Sequence, residues 1–301
     1  MERQEFLERR KQGIGGSDVA AVLGVSKWKT PYQLWLDKTS DTVEEKQSDI
    51  LHFGQVLEQV VADEYARRNN AKVLRRNQMY RLTAHPELIA NIDRYVVGGK
   101  ILECKTCSAY ASDKFGDGGD EVPDEYLLQV QHYMHVTGYH EADLAVLIGG
   151  NEYRQFSLKY DADLANWAAD KCVEFWQNYV VTNTPPPATV QDNLAEYYNA
   201  VPGSSVVASD EVAELLTEYK RIKTVEKEAK EDLEEIAAQV KLFAGENEII
   251  TNAEGKTLAT WKKGKDRATV DWKALAADKG FTEADTAFYT KYSPVRTFSV
   301  K

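Results

Sequence analysis

Ile92-Asp93-Arg94-Tyr95-Val96-Val97-Gly98-Gly99-Lys100-Ile101-Leu102-Glu103-Cys104-Lys105-Thr106 is the stretch on which the fold turns. Residues 92–97 read as a strand, Gly98-Gly99 as a turn and residues 100–106 as a second strand. Alternation along the second strand sends Glu103 and Lys105 to one face, and Leu102 and Cys104 into a packed layer on the other. The direction of Asp93 depends on register. A two-residue turn on Gly98-Gly99 pairs it with Cys104, on the wrong face. A three-residue turn over Gly98, Gly99 and Lys100 pairs it with Lys105 and gathers two carboxylates and an amine. Such a trio can hold a divalent cation with a lysine beside the attacking water. The bland alternative is a solvated cross-strand ion pair.

Three other segments bear on that choice. Upstream, Glu58, Val61, Ala62 and Tyr65 fall on one face of a helix, so the Glu58 carboxylate needs a partner, a cation or a path to solvent. Downstream, Pro123 and Gly138 frame a helix on which Gln129 and Tyr133 share a face with Tyr126 and Val136. At the start, Arg9-Arg10-Lys11 leads into Gly15-Gly16 and a short helix capped by Ser17 or Asp18. Backbone N–H groups at a helix start, beside an arginine, can cradle a phosphate. No Walker A lysine follows, and no dinucleotide fingerprint is present.

Taken in order, Ile14-Gly-Gly-Ser-Asp-Val, Phe53-Gly-Gln-Val-Leu-Glu58, Ala90-Asn-Ile-Asp93-Arg, Leu102-Glu-Cys-Lys105-Thr and Leu128-Gln-Val-Gln-His-Tyr-Met-His-Val-Thr-Gly138 resemble the YqaJ-like viral recombinase family. That family includes the lambda-type phage exonucleases and belongs to the PD-(D/E)XK nuclease superfamily. The resemblance covers roughly residues 1–190. It implies an α/β, restriction-endonuclease-like core, a mixed central β-sheet flanked by helices. Asp93 and Glu103 look like the metal-ligating carboxylates, with the Cys104 carbonyl as a third ligand. Lys105 looks like the residue that positions and helps activate water, and Gln129 like the helix amide of the site. Glu58 resembles the additional acidic residue, at a second metal or reaching one through water. Arg10 and Ser17 match positions that hold a DNA 5′-phosphate. Ile92 stands where the superfamily name implies proline, a residue that shapes backbone and carries no chemistry.

The activity so implied is a metal-dependent DNA nuclease, a 5′-to-3′ double-strand exonuclease of phage-type recombination. An endonuclease or single-strand nuclease of the same fold is the alternative, as is a catalytically silent recombination scaffold. The expected cofactor is Mg²⁺, with Mn²⁺ able to substitute, because all-oxygen ligands favour both over Zn²⁺. Expected partners are duplex DNA ends, further copies of the chain (a trimer, if it follows the lambda type) and a single-strand annealing protein. His132 and His135, three apart on one helix, lack the further ligands of a recognisable zinc pattern. Three cysteines are too few for a four-cysteine iron–sulfur cluster.

A net charge of −11 over 301 residues means that attraction to DNA must come from local basic patches. Candidates are residues 9–11 and the group Arg67, Arg68, Lys72, Arg75, Arg76 and Arg81. No signal peptide, membrane-spanning run or disulfide framework is apparent, so a cytoplasmic location without membrane attachment is expected. Thr30-Pro-Tyr-Gln33 is a capping box opening a further helix. The helix after Tyr160 carries Leu164, Trp167, Lys171, Phe175 and Tyr179 near one face, read as core packing. The organisation expected is a nuclease domain over 1–190, a linker over 191–208 and a C-terminal appendage over 209–301. Within the appendage, a helix with a seam from Val212 to Val225 precedes a hairpin turning on residues 252–255, a short helix near Trp272 and a terminal strand from Arg296.

Overall fold

The computed structural model describes residues 3–40, 48–76, 78–116, 121–265, 269–290 and 296–300. The chain divides into two compact units, Met1–Tyr197 and Tyr198–Lys301.

The first unit opens with α1 (Arg3–Lys11), α2 (Gly16–Val22), α3 (Pro31–Thr39) and α4 (Asp49–Asn69). Short strands β1 (Val73–Arg75), β2 (Tyr80–Arg81), β3 (Ile89–Ala90) and β4 (Arg94–Val96) lead to the long β5 (Lys100–Cys107). A 3₁₀ turn over Ala109–Lys114 precedes α5 (Asp124–Thr137), β6 (Glu141–Ile148), β7 (Glu152–Lys159) and α6 (Ala162–Phe175). The unit closes on a π-helical turn, Trp176–Val181, and α7 (Leu194–Tyr197). Its sheet has the order β1-β4-β5-β6-β7, with only the β5–β6 pair parallel. This is the mixed sheet flanked by helices that the sequence implied.

Alternation along β5 distributes its side chains as expected. Leu102 and Cys104 are buried with Val61, Ala62 and Tyr65 of α4. Ile101 packs on the opposite face with Val130 and Met134 of α5. Glu103 shares that face, beneath α5. Local signals set the helix ends. Thr30 and Gln33 exchange two 3.1 Å hydrogen bonds as the capping box requires. Gly138, at φ 77°, stops α5.

Three expectations change here. The β4–β5 turn spans Val97, Gly98 and Gly99, so Asp93 lies opposite Glu103 and not Lys105, one position beyond the paired Arg94 and Leu102. The reason is conformational: Gly98 and Gly99 take φ of 123° and 105°, and a turn ending on Lys100 would force a positive φ on a lysine. A two-residue slip preserves the face, whereas a one-residue slip would have reversed it. Second, α2 is capped by Gly15, whose N–H donates to Asp18 Oδ2 at 3.1 Å, and neither Ser17 nor Asp18 is the cap. Third, along α6 and the turn after it, Leu164, Phe175 and Tyr179 pack in the core as expected, but Trp167 is half exposed and Lys171 exposed, and Ala165, Ala168, Ala169 and Cys172 complete the inward face. The small residues let this helix approach its neighbours closely.

The second unit contains α8 (Asp210–Ala244), the hairpin of β8 (Ile249–Thr251) and β9 (Thr257–Thr260), then α9 (Trp272–Asp278) and α10 (Glu283–Thr286). Residues 296–300 do not form the expected terminal strand, although Phe298 packs edge-on against Tyr219, ring centroids 5.4 Å apart.

Candidate active site

Glu103 is the centre of the cluster. Only 1% exposed, it would strand a charge in the protein without polar neighbours. Its Oε1 accepts from Gln129 Nε2 at 2.7 Å and lies 2.7 Å from Lys105 Nζ. Gln129 also donates to the Tyr133 hydroxyl at 2.9 Å, which fixes the amide against α5. Glu103 Oε2 has no hydrogen-bond partner. A buried carboxylate oxygen left open in this way is where a cation fits.

Asp93 stands beside it, half-buried, its Oδ2 accepting from the Cys104 backbone N–H at 2.9 Å. Burial, then the nearby Glu103 charge, pushes the Asp93 carboxyl well above the usual range, against the pull of Lys105. Two carboxylates crowded in a low-dielectric pocket are what a divalent cation relieves. For Lys105, burial works to lower the ammonium, but Glu103 and Asp93 outweigh it and raise the group above its ordinary value. Its Nζ also lies 5.3 Å from the centre of the Tyr126 ring. Lys105 is therefore a cation at neutral pH, suited to orienting water and balancing charge and poorly suited to removing a proton.

Glu58 occupies a different position. Its carboxylate pairs with the Arg94 guanidinium, which also donates to the Asp93 carbonyl at 2.8 Å and to Gln59 Oε1 at 3.0 Å. Arg94 thus joins Glu58 to the backbone of Asp93. Sequence reading identified a carboxylate in need of a partner but missed Arg94, although a basic residue beside Asp93 with its side chain toward α4 was the available signal. Tyr126 and Tyr133 were also missed as members of the site. Spacing places them only on a helix face, and contact with Lys105 and Gln129 comes from the tertiary packing.

Arg10 and Ser17 are brought together: the Arg10 guanidinium donates to the Ser17 hydroxyl. Beneath them, Lys38 Nζ sits 2.7 Å from Asp18 Oδ2 and 3.0 Å from the Arg10 carbonyl. Burial would raise Asp18, but Lys38 and Arg10 hold its carboxyl far below the usual range. Burial also lowers the Lys38 ammonium, against the attraction of Asp18. In the second basic group, Arg67 and Arg68 both bind Glu64, at 2.7 and 2.6 Å. His132 is buried against the Ile89 carbonyl at 2.9 Å, outside any ligand set.

Among the described residues, no three His, Cys, Asp or Glu side chains converge to form a cation cage by themselves. Asp93, Glu103 and the Cys104 carbonyl nevertheless suit Mg²⁺, which keeps several waters in its shell. An acidic pair with an adjacent lysine at the centre of a mixed sheet defines a protein of the restriction-endonuclease-like class. Solved structures agree on the fold. The alkaline exonuclease LHK-Exo from Laribacter hongkongensis aligns with a TM-score of 0.51 at 16% identity, covering 60% of this chain and 94% of that one. The same protein in complex with dAMP gives 0.51 at 17% identity, with the same coverage.

Within this class, residues 5–140 match the YqaJ-like viral recombinase domain. Over 204 residues the chain is 43% identical to the uncharacterized protein YqaJ of Bacillus subtilis (strain 168), a match spanning 65% of this chain and 62% of that protein. The aligned region thus accounts for less than two thirds of that relative's length. No helix among the described residues is long and apolar enough to cross a membrane.

Proposed function

We propose that the protein is a Mg²⁺-dependent deoxyribonuclease that resects duplex ends from 5′ to 3′. The observation that carries this reading is the convergence of Asp93, Glu103, Lys105 and Gln129 around an unpartnered carboxylate oxygen. Asp93 and Glu103, with the Cys104 carbonyl, would hold the cation. When bound, it supplies Lewis acidity and a water of lowered pKa. Gln129 and Lys105 hold Glu103 Oε1 so that Oε2 stays directed at the ligand. Lys105 contributes a fixed positive charge beside the scissile phosphate and a donor for the attacking water. Glu58 acts on Asp93 through Arg94.

Arg10 and Ser17 are proposed to take the 5′-terminal phosphate, since a guanidinium and a hydroxyl already in contact can both turn to one phosphate. The supported partner is therefore a duplex end. Assembly around DNA as a ring, with basic groups inward, would let a chain of net charge −11 retain a polyanion. Such resection leaves single strands, the substrate of an annealing partner.

The deciding experiment digests linear duplexes with and without 5′-phosphate, beside a closed circle, with Mg²⁺ or EDTA. We expect Mg²⁺-dependent loss of the linear forms, a preference for the phosphorylated end and an intact circle. Arg10→Ala should erase the preference more than it slows turnover on engaged DNA. Cutting of the circle would establish the endonuclease reading instead, and no cleavage of any substrate would establish the scaffold.

A further inference from the structure

The heptad seam of α8 is longer than its opening residues suggest. From Val212 to Phe243 it repeats at alternating spacings of four and three, apolar at every step except Glu226 at the middle. Such a repeat is the signature of a helix that packs along its length against another. Phe298 covers part of Tyr219, but Ile222, Leu233, Ile236 and Phe243 remain 52%, 67%, 58% and 81% exposed. An apolar stripe of this length on a charged helix calls for an occupant.

We propose that this occupant is α8 of a second copy, running antiparallel. The pattern is a mirror of itself about the midpoint between residues 227 and 228. Reversal places Ile222 against Leu233, Tyr219 against Ile236, and Val212 against Phe243. At the centre Glu226 meets Ala229, whose small side chain leaves room for the longer one. A parallel pair would instead set Glu226 against Glu226 inside the seam, two like charges in partial burial. Lys223 pairs with Glu226 at 2.7 Å on the same helix, and Lys230 flanks it on the same edge, so in the reversed arrangement lysines of both copies surround each carboxylate. Helix dipoles also oppose one another favourably. Glu226 thus excludes the parallel arrangement at little cost to the antiparallel one.

The contact is self-complementary and closes at two, so it joins pairs and cannot by itself produce a ring. It holds whether or not the first unit cleaves DNA. The test uses the full-length chain. Light scattering at micromolar concentration should give an even number of copies, and Leu233→Asp should halve the mass, weakening association by about a hundredfold or more. Orientation is read by oxidative crosslinking, with the native chain as the blank. Val212→Cys and Phe243→Cys chains should crosslink when mixed and not when alone. An unchanged mass for Leu233→Asp, or crosslinking of Val212→Cys by itself, would overturn the proposal. So would a monomeric native chain.

Discussion

Asp93 holds its position against electrostatics. Asp93→Asn keeps an acceptor for the Cys104 N–H while removing a charge that burial and Glu103 both oppose. The variant should melt a few degrees above the native protein in EDTA, on the order of 1 kcal/mol of added stability. In Mg²⁺ the ranking should reverse, since the native protein gains ligand-linked stability that the variant cannot. Paired thermal melts would check this without any activity assay, and a variant less stable in EDTA would contradict the site. His132 makes a separate prediction. Burial depresses its imidazole from near 6.5 to about 4. The unfolded chain therefore takes up a proton first as pH falls, and stability present above pH 6.5 is lost on the way to pH 4, by roughly 3 kcal/mol for this group. Urea unfolding at pH 7 and pH 5 should show a loss that shrinks in His132→Gln.

Among elements, the contact between α2 and α5 joins the proposed phosphate end of the site to the metal end. A Cβ at Gly16 would come within 2.5 Å of Tyr133 Cε1 and 2.9 Å of the Gln129 carbonyl. Gly16→Ala should therefore separate the two helices, cost about 1–3 kcal/mol and disturb Gln129 without touching a ligand. Denaturation together with cleavage measurements would register both effects. How far such features are legible in a sequence follows from their range. The faces of β5, the ends of α5 and the Thr30 cap rest on spacing alone, and each could be read directly. The register of Asp93 required knowing which residue could bear a positive φ, and the assumption that Lys100 belonged to the turn misplaced it by two. Arg94, Tyr126 and Tyr133 were not identifiable as site members, because their roles come from elements that meet only in the folded chain. On α6 and the turn after it, the core reading holds for Leu164, Phe175 and Tyr179 and fails for Trp167 and Lys171, because the alanines and Cys172 complete the inward face.

For the whole molecule, the compact first unit continues to Tyr197. The late segment is tied back to an early helix. The Thr30 hydroxyl donates to Asp192, which also accepts from the Thr189 N–H at 2.7 Å and from its hydroxyl at 2.9 Å. Tyr197 packs against Tyr32 with ring centroids 4.7 Å apart. Residues 1–197 expressed alone should fold cooperatively. A chain ending at residue 190 should melt several degrees lower, because losing Asp192 leaves a buried hydroxyl without its partner, a cost of about 1–3 kcal/mol. Circular dichroism melts of both would test the limit.

The unequal treatment of the two Glu103 oxygens would set the denticity of the proposed cation site. With Oε1 held by Gln129 and Lys105, the carboxylate can offer a cation one oxygen through Oε2. Single-oxygen coordination suits the small Mg²⁺, which demands near-octahedral geometry, and is accepted by the slightly larger Mn²⁺. Ca²⁺, which draws much of its binding from chelating carboxylates and a larger shell, gains less there. The site should therefore be selective before any chemistry occurs. Calorimetric titration should show Ca²⁺ binding more weakly than Mn²⁺, and Gln129→Leu, by loosening Oε1, should narrow the gap.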